Sequence, residues 1–225
     1  KISSKSTLKV GLNADLFNFV SFDSARTVAI QPALKVSDWQ TRWLSDTYYL
    51  MLQPYAQWKY FINDKLTFNA GLSSLYNSIN KNSFSPLEPR VGLTYDVANG
   101  QKLNIATGLH SQMQPSYTYF YGTNLSTSAA NYLNRNVGFT KSWHFVAGYS
   151  TLLSKNMRML IETYYQKLYD IPVEKQSSSF SIVNTGAAFS RIFPGELQNT
   201  GTGRNYGVEL TVEKFFSKGY YYLVT

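Results

Sequence analysis

His110 and His144 are the only histidines in the 225-residue chain and its best candidates for proton transfer or metal binding. Either chemistry needs further groups at fixed spacing: more nitrogen or carboxylate ligands for a metal, or a nucleophile and an orienting partner for catalysis. The chain holds no HExxH pair, no Gly-Lys-Ser/Thr phosphate loop, no GxSxG elbow and no cysteine, which excludes zincin, phosphate-loop, serine-hydrolase and thiolate chemistry of the familiar kinds. The histidines fall in different alternating stretches and read as polar wall residues hydrogen-bonded to their neighbours, with a ligand or acid–base role as the rival reading. Neither enzyme activity nor a metal or other cofactor is expected.

A second set of candidates is charged. Arg90, Asp96, Arg158, Glu162, Glu209 and Glu213 occupy the polar positions of stretches in which apolar and polar residues alternate. Such residues either pair across strands, which pins register and offsets the cost of turning charge inward, or guide a charged solute. Aromatic residues make the third set. The segments Ser37-Asp38-Trp39-Gln40-Thr41-Arg42-Trp43 and Tyr117-Thr118-Tyr119-Phe120-Tyr121-Gly122 are expected as loops that carry binding on a rigid scaffold. Within them Trp39, Trp43, Tyr117, Tyr119 and Tyr121 offer faces that stack on sugars or flat ligands, and Arg42 offers a partner for an anion. The alternative is that these aromatics belong to strand extensions beyond the membrane and serve packing. The segments Ser177-Ser178-Ser179 and Asn199 to Gly203 read as filler without chemistry.

The elements that hold these residues follow from turn chemistry and period. Tight turns are expected at Asn63-Asp64, Asn99-Gly100, Lys155-Asn156 and Ser217-Lys218-Gly219, each flanked by stretches of period 2. In Thr47 to Tyr60 one face collects Tyr48, Leu50, Leu52, Pro54, Ala56, Trp58 and Tyr60, with Tyr49, Met51 and Tyr55 as exceptions on the other. Similar alternation runs through Thr7 to Val20, Leu66 to Ser73, Arg90 to Val97, Lys102 to His110, Trp143 to Leu153, Met157 to Leu168, Asn205 to Glu213 and Tyr220 to Thr225, giving about nine strands. Fourteen residues at about 3.4 Å rise and about 40° tilt rise roughly 36 Å, enough to cross a bilayer core, whereas soluble strands stop near five or six residues. Short turns on one side and long polar segments on the other are the rhythm of an up-and-down outer-membrane barrel. Tyr48, Trp58, Tyr60, Tyr95, Trp143, Tyr149, Tyr165 and Tyr206 fall near strand ends, where aromatic girdles mark the two interfaces.

Composition agrees with a membrane wall. The formal charge is +8, but the basic residues are scattered, many beside turns (Lys59, Lys65, Lys102, Lys155, Lys218) where they reach water and headgroups, and no nucleic-acid partner is expected. There is no apolar run of the roughly 18 residues that a membrane helix needs. An outer-membrane protein requires a signal peptide and none is present, so residue 1 is not expected to be the natural start.

At this point the residues resemble the barrel of TonB-dependent receptors, in the branch whose plug follows a carboxypeptidase-regulatory-like domain. The resemblance rests on the strand start Glu88-Pro89-Arg90, the strand Gly108-Leu109-His110 with Gln112, and the strand Gly203-Arg204-Asn205-Tyr206-Gly207-Val208-Glu209-Leu210, and it spans nearly the whole chain. It implies an all-β, antiparallel transmembrane barrel of about 22 strands in the outer membrane of a Gram-negative cell. It also implies a lumen filled by the protein's own plug, braced by Arg90, Asp96, His110, Arg158, Glu162 and Glu209. Drive would come from a TonB complex acting through an N-terminal part, and a surface lipoprotein is a further possible partner. Residues 1–225 are then a partial barrel domain without plug, early strands or closing strands. The expected function is uptake of a scarce solute such as an iron chelate, cobalamin, a peptide or a glycan fragment. Two rivals remain: a passive porin or structural barrel subunit of an envelope complex, and a soluble all-β glycan-binding module.

Overall fold

The computed structural model describes residues 3–26, 28–29, 35–123, 125, 131–186 and 192–225. Nine strands form one antiparallel sheet in which every strand pairs with its neighbour in sequence. They are β1 (Ser6–Ala25), β2 (Gln40–Phe61), β3 (Leu66–Asn77), β4 (Phe84–Ala98), β5 (Gln101–Gln112), β6 (Thr140–Ser154), β7 (Met157–Glu174), β8 (Leu197–Ser217) and β9 (Tyr220–Val224). Among the described residues β1 and β9 are the two edges, each with one partner.

All four expected turns are present at one end of the sheet. In the first, the Asn63 side-chain oxygen accepts the N–H groups of Lys65 and Leu66 at 2.9 and 2.8 Å, the turn-stabilising bond that Asn is suited to make. In the second, Ala98 pairs with Gln101 across Asn99-Gly100, and Gly100 sits at φ +76°, a conformation that side chains strongly disfavour.

Because side chains alternate along a strand, the register sorts the sheet into two faces. Leu8, Trp58, Ala70, Val91, Thr107, Phe145, Tyr165 and Tyr206 lie on one rung of the first face. This face remains uncovered: Val208 is 72% and Ile105 64% exposed. A large contiguous apolar surface of this kind is foreign to a soluble monomer and is what hydrocarbon contact requires. The second face is polar or small, its rungs running through Gln57, Gly71, Arg90, Gly108, His144 and Gln166.

Among the described residues a compact core lies at the end away from the turns. Trp43, Tyr49 and Leu197 lie on the polar face of their strands and are covered by Ile79, Tyr119, Phe120 and Val137 from the connecting segments. Phe17 stacks on Tyr49 and Phe19 on Phe120, each with ring centres 4.9 Å apart. The break in alternation at Tyr49 thus marks where the strand carries an aromatic inward to seat the connections.

Two expectations are corrected here. Gln40 to Trp43 are strand, not loop, because β2 continues past the apolar band and stays paired to β1 up to Gln40 opposite Ala25. Asn199 to Gly203 belong to β8 rather than to a filler loop. The small residues there fit under β7: a Cβ on Gly201 would stand 2.7 Å from Val173 Cγ1 and 2.9 Å from the Ile171 carbonyl oxygen.

Candidate functional site

The polar face carries a recess of 740 Å³ whose walls include Lys9, Gln57, Asn69, Arg90, His110 and His144. Glu88 and Arg90 occupy alternate positions of β4 and face the same way. Glu88 is 1% exposed; its Oε2 accepts from Ser73 Oγ at 3.3 Å and from the Arg90 guanidinium at 3.2 Å. A buried carboxylate is tolerated only with such partners. Its Oε1 and the Arg90 Nε have no hydrogen-bond partner among the described residues. The His110 and His144 rings, from β5 and β6, stand 4.4 Å apart between centres. Among the described residues no trio of His, Asp or Glu side chains is placed to hold a metal ion. Long side chains lie flat on the wall because glycines sit beneath them: a Cβ on Gly108 would meet Arg90 Cγ at 2.7 Å, and one on Gly207 would meet the Tyr164 hydroxyl at 2.7 Å.

Toward the turns the charges pair. Lys102 meets Asp96 at 3.1 Å across the β4–β5 turn, and Arg158 meets Glu213 at 2.8 Å between β7 and β8. Both pairs are substantially exposed, so their contribution is to register more than to stability. Glu162 and Glu209 are register partners, two carboxylates opposed on one rung beside a second recess of 690 Å³. The six residues expected to face the lumen, Arg90, Asp96, His110, Arg158, Glu162 and Glu209, therefore share the polar face. Arg90 and His110 stand together in the first recess and Glu162 and Glu209 beside the second, while Asp96 and Arg158 lie apart from both, toward the turns.

At the opposite end the aromatic candidates are distributed otherwise than as a row of free faces. Trp43 is 0% exposed and its indole N–H donates to the Tyr117 carbonyl at 2.8 Å. Tyr119 is 0% exposed, its hydroxyl accepting from the Gln114 N–H at 3.2 Å; burial pushes that hydroxyl's pKa up, with the Gln114 bond opposing. These two side chains are core, a correction to their expected role as exposed stacking surfaces; their ring area is worth more against Phe120, Ile79 and Val137 than in water. Tyr117 and Tyr121 are half-buried against the same core, Tyr121 lying 5.1 Å from Trp43 between ring centres. The charge of Arg42 is met by Asp23, whose carboxylate accepts from Nε at 2.7 Å, while its guanidinium carbon lies 4.3 Å from the centre of the Phe193 ring. Trp39 alone of the six is largely free, at 64% exposure, with Arg26 5.2 Å from its ring centre.

Several residues of this end escaped sequence reasoning. Asn80 donates to the carbonyls of Arg135 and Val137 at 2.6 and 3.0 Å, Asn134 Oδ1 accepts from the Leu197 N–H at 2.8 Å, and Asn199 accepts from the Gly138 N–H at 2.8 Å while donating to Asp170 at 2.7 Å. These side chains satisfy backbone groups that connections lack a ladder to satisfy. Asp23, Phe193, Arg26 and Glu88 were likewise not picked out as site residues. A signal existed for Glu88, two positions before Arg90 and so on its face; none existed for Phe193, which meets Arg42, Trp43 and Tyr121 from far along the chain.

The connections thus fold over the polar face at one end of the sheet, and the short turns stand at the other. The family profile described as TonB dependent receptor-like, β-barrel, matches residues 3–225. No curated protein matches the sequence. Among solved structures, the RagAB peptide transporter superposes with a TM-score of 0.58 at 13% identity, over 96% of this chain and 26% of that one. The FrpB iron transporter from Neisseria meningitidis (F3-3 variant) gives 0.56 at 13% identity, over 96% and 32%. The copper transporter OprC gives 0.52 at 13% identity, over 96% and 33%. The chain spans between a quarter and a third of the length of these structures, and at this identity the likeness is one of fold.

Proposed function

Because the chain belongs to the TonB dependent receptor-like β-barrel family, we propose that it is part of the wall of an outer-membrane importer for a scarce solute. The observation that carries this reading is the division of one sheet into an uncovered apolar face and a polar face roofed at one end by its own connections. An apolar exterior seals against hydrocarbon, a polar interior accepts a folded insert, and roofed connections restrict entry.

In this reading the edges β1 and β9 pair with further strands, since unpaired N–H and C=O groups at several kcal/mol each do not stand in lipid. The plug packs against the polar face, where Arg90, Asp96, His110, Arg158, Glu162 and Glu209 brace it. Glu88 Oε1 and Arg90 Nε, unpartnered within the wall, are available to plug backbone or water. A TonB complex drives plug rearrangement, and Trp39 with Arg26 is the part of the mouth freest to touch the solute or a lipoprotein partner. The solute is an iron chelate, cobalamin, a peptide or a glycan fragment; the fold neighbours named for peptide, iron and copper transport support small nutrients rather than macromolecules.

The test is growth of source cells with and without the full-length gene when iron as a ferric chelate, cobalamin, a peptide mixture or a glycan oligomer is limiting. Loss of growth on one of these, restored by the gene and abolished by removing the TonB-contacting segment, supports import. Free ion conductance by the full-length protein in planar bilayers, with no TonB, would instead make it a passive porin.

A further inference from the structure

The apolar face ends in paired positive charge on two adjacent strands. Trp143 of β6 is the register partner of Lys167 in β7, and Lys167 is the register partner of Arg204 in β8. All three share the face that carries Phe145, Tyr165 and Tyr206. Lys167 and Arg204 are exposed, and neither has a hydrogen-bond or ion-pair partner among the described residues. Lys141, opposite Tyr169 and one step further from the turns, differs: its Nζ is 2.9 Å from Asp170 Oδ2. Like charges directly opposed across a ladder destabilise it unless an anion joins them.

Height along the wall says which anion. Ten residues separate Met157, at the turn, from Lys167. At about 3.4 Å rise and about 40° tilt this is roughly 26 Å, and the apolar band of such barrels is about 25 Å tall. The basic pair therefore stands where hydrocarbon gives way to headgroups, with Met159, Ile161 and Tyr165 below it and the half-buried Trp143 alongside as an interfacial anchor.

We propose that Lys167 and Arg204 grip a phosphate of an anionic lipid in the outer leaflet, whose acyl chains lie along the apolar stripe beneath. This rests on the outer-membrane reading. Arg204 supplies a planar fork that suits two phosphate oxygens, and Lys167 supplies a compact second charge. A soluble anion would meet the same charges under full screening, whereas a lipid is held at this height by its chains.

The experiment uses full-length protein, stripped of lipid in neutral detergent, and native mass spectrometry with three probes: diphosphoryl lipid A, its dephosphorylated form and inorganic phosphate. Retention is expected for the diphosphoryl lipid over the dephosphorylated one. The K167Q/R204Q variant is expected to weaken it roughly 10- to 30-fold, each cation being worth about 1 kcal/mol at a membrane surface, and K167R to preserve it. Equal retention of both lipids, unchanged retention by K167Q/R204Q, or occupancy by inorganic phosphate at the lipid's own affinity would overturn the proposal. Should the double variant fail to run as a compact, heat-modifiable species, the two lipids on the unaltered protein decide. A full-length protein that needs no detergent overturns the outer-membrane reading itself; one that needs detergent but ignores the lipid phosphate overturns only this site.

Discussion

Placing a charge at Ile105 tests the sidedness of the wall at its most sensitive depth. Ile105 lies on the apolar face of β5, five residues past Gly100 in the turn. At about 3.4 Å rise and 40° tilt, it stands roughly 13 Å above that turn, near the middle of an apolar band about 25 Å tall. Arg at the midplane of a barrel's lipid face costs about 2–4 kcal/mol. Ile105→Arg should therefore lower the folding equilibrium constant roughly 30- to 700-fold, at about 1.4 kcal/mol per decade. Its neighbour Asn104, about 3 Å lower on the same strand, faces the polar side between Thr94 and Gly148. Asn104→Arg should cost less than about 1 kcal/mol, since it stays in reach of water. The assay is urea unfolding of the full-length protein in phospholipid vesicles, followed by tryptophan fluorescence and heat-modifiable migration. Equal stability of the two variants, or a greater loss for Asn104→Arg, would refute the assignment of faces.

Gly201→Ala should destabilise by about 1–3 kcal/mol, because its Cβ meets the Ile171 carbonyl at 2.9 Å, whereas Gly203→Ala, whose nearest contacts are methyl groups at 3.4 Å, should be close to neutral; the same urea midpoints distinguish them. Asn199→Ala removes the acceptor for the Gly138 N–H and a donor to Asp170, so the Gly138 amide should exchange with deuterium faster while amides in the membrane band do not. Trp43→Ala should cost about 3–5 kcal/mol and render the roofing connections sensitive to protease added to whole cells. Trp39→Ala should leave protease resistance unchanged and, if Trp39 touches the solute, raise the concentration needed for half-maximal uptake; an unchanged value would remove Trp39 from the mouth's contacts.

The division of labour between faces was legible residue by residue. Val208 and Glu209 differ by one position and face opposite ways because a strand has period 2, a property fixed by the local backbone. Asn63 and Gly100 declare their turns for equally local reasons, a side-chain acceptor and a positive φ. The aromatic candidates show where such reasoning stops. Trp39 and Trp43 are four residues apart and alike in sequence, yet one ring is open and the other is enclosed.

What the sequence by itself determined is the wall: strand count, turn positions, the apolar and polar faces, and through its motifs the resemblance to a receptor barrel; the strands run further from the turns than the alternation alone marked, as at Gln40 and Leu197. What only the tertiary structure decided is the mouth. Trp43 is closed off by Tyr117, 74 residues away, and Gly138 is held by Asn199, 61 residues away. Period and turn chemistry act over a few residues and leave a mark on every window of the chain. Roofing contacts exist only once distant connections meet over the polar face, so no short stretch of sequence carries their signature.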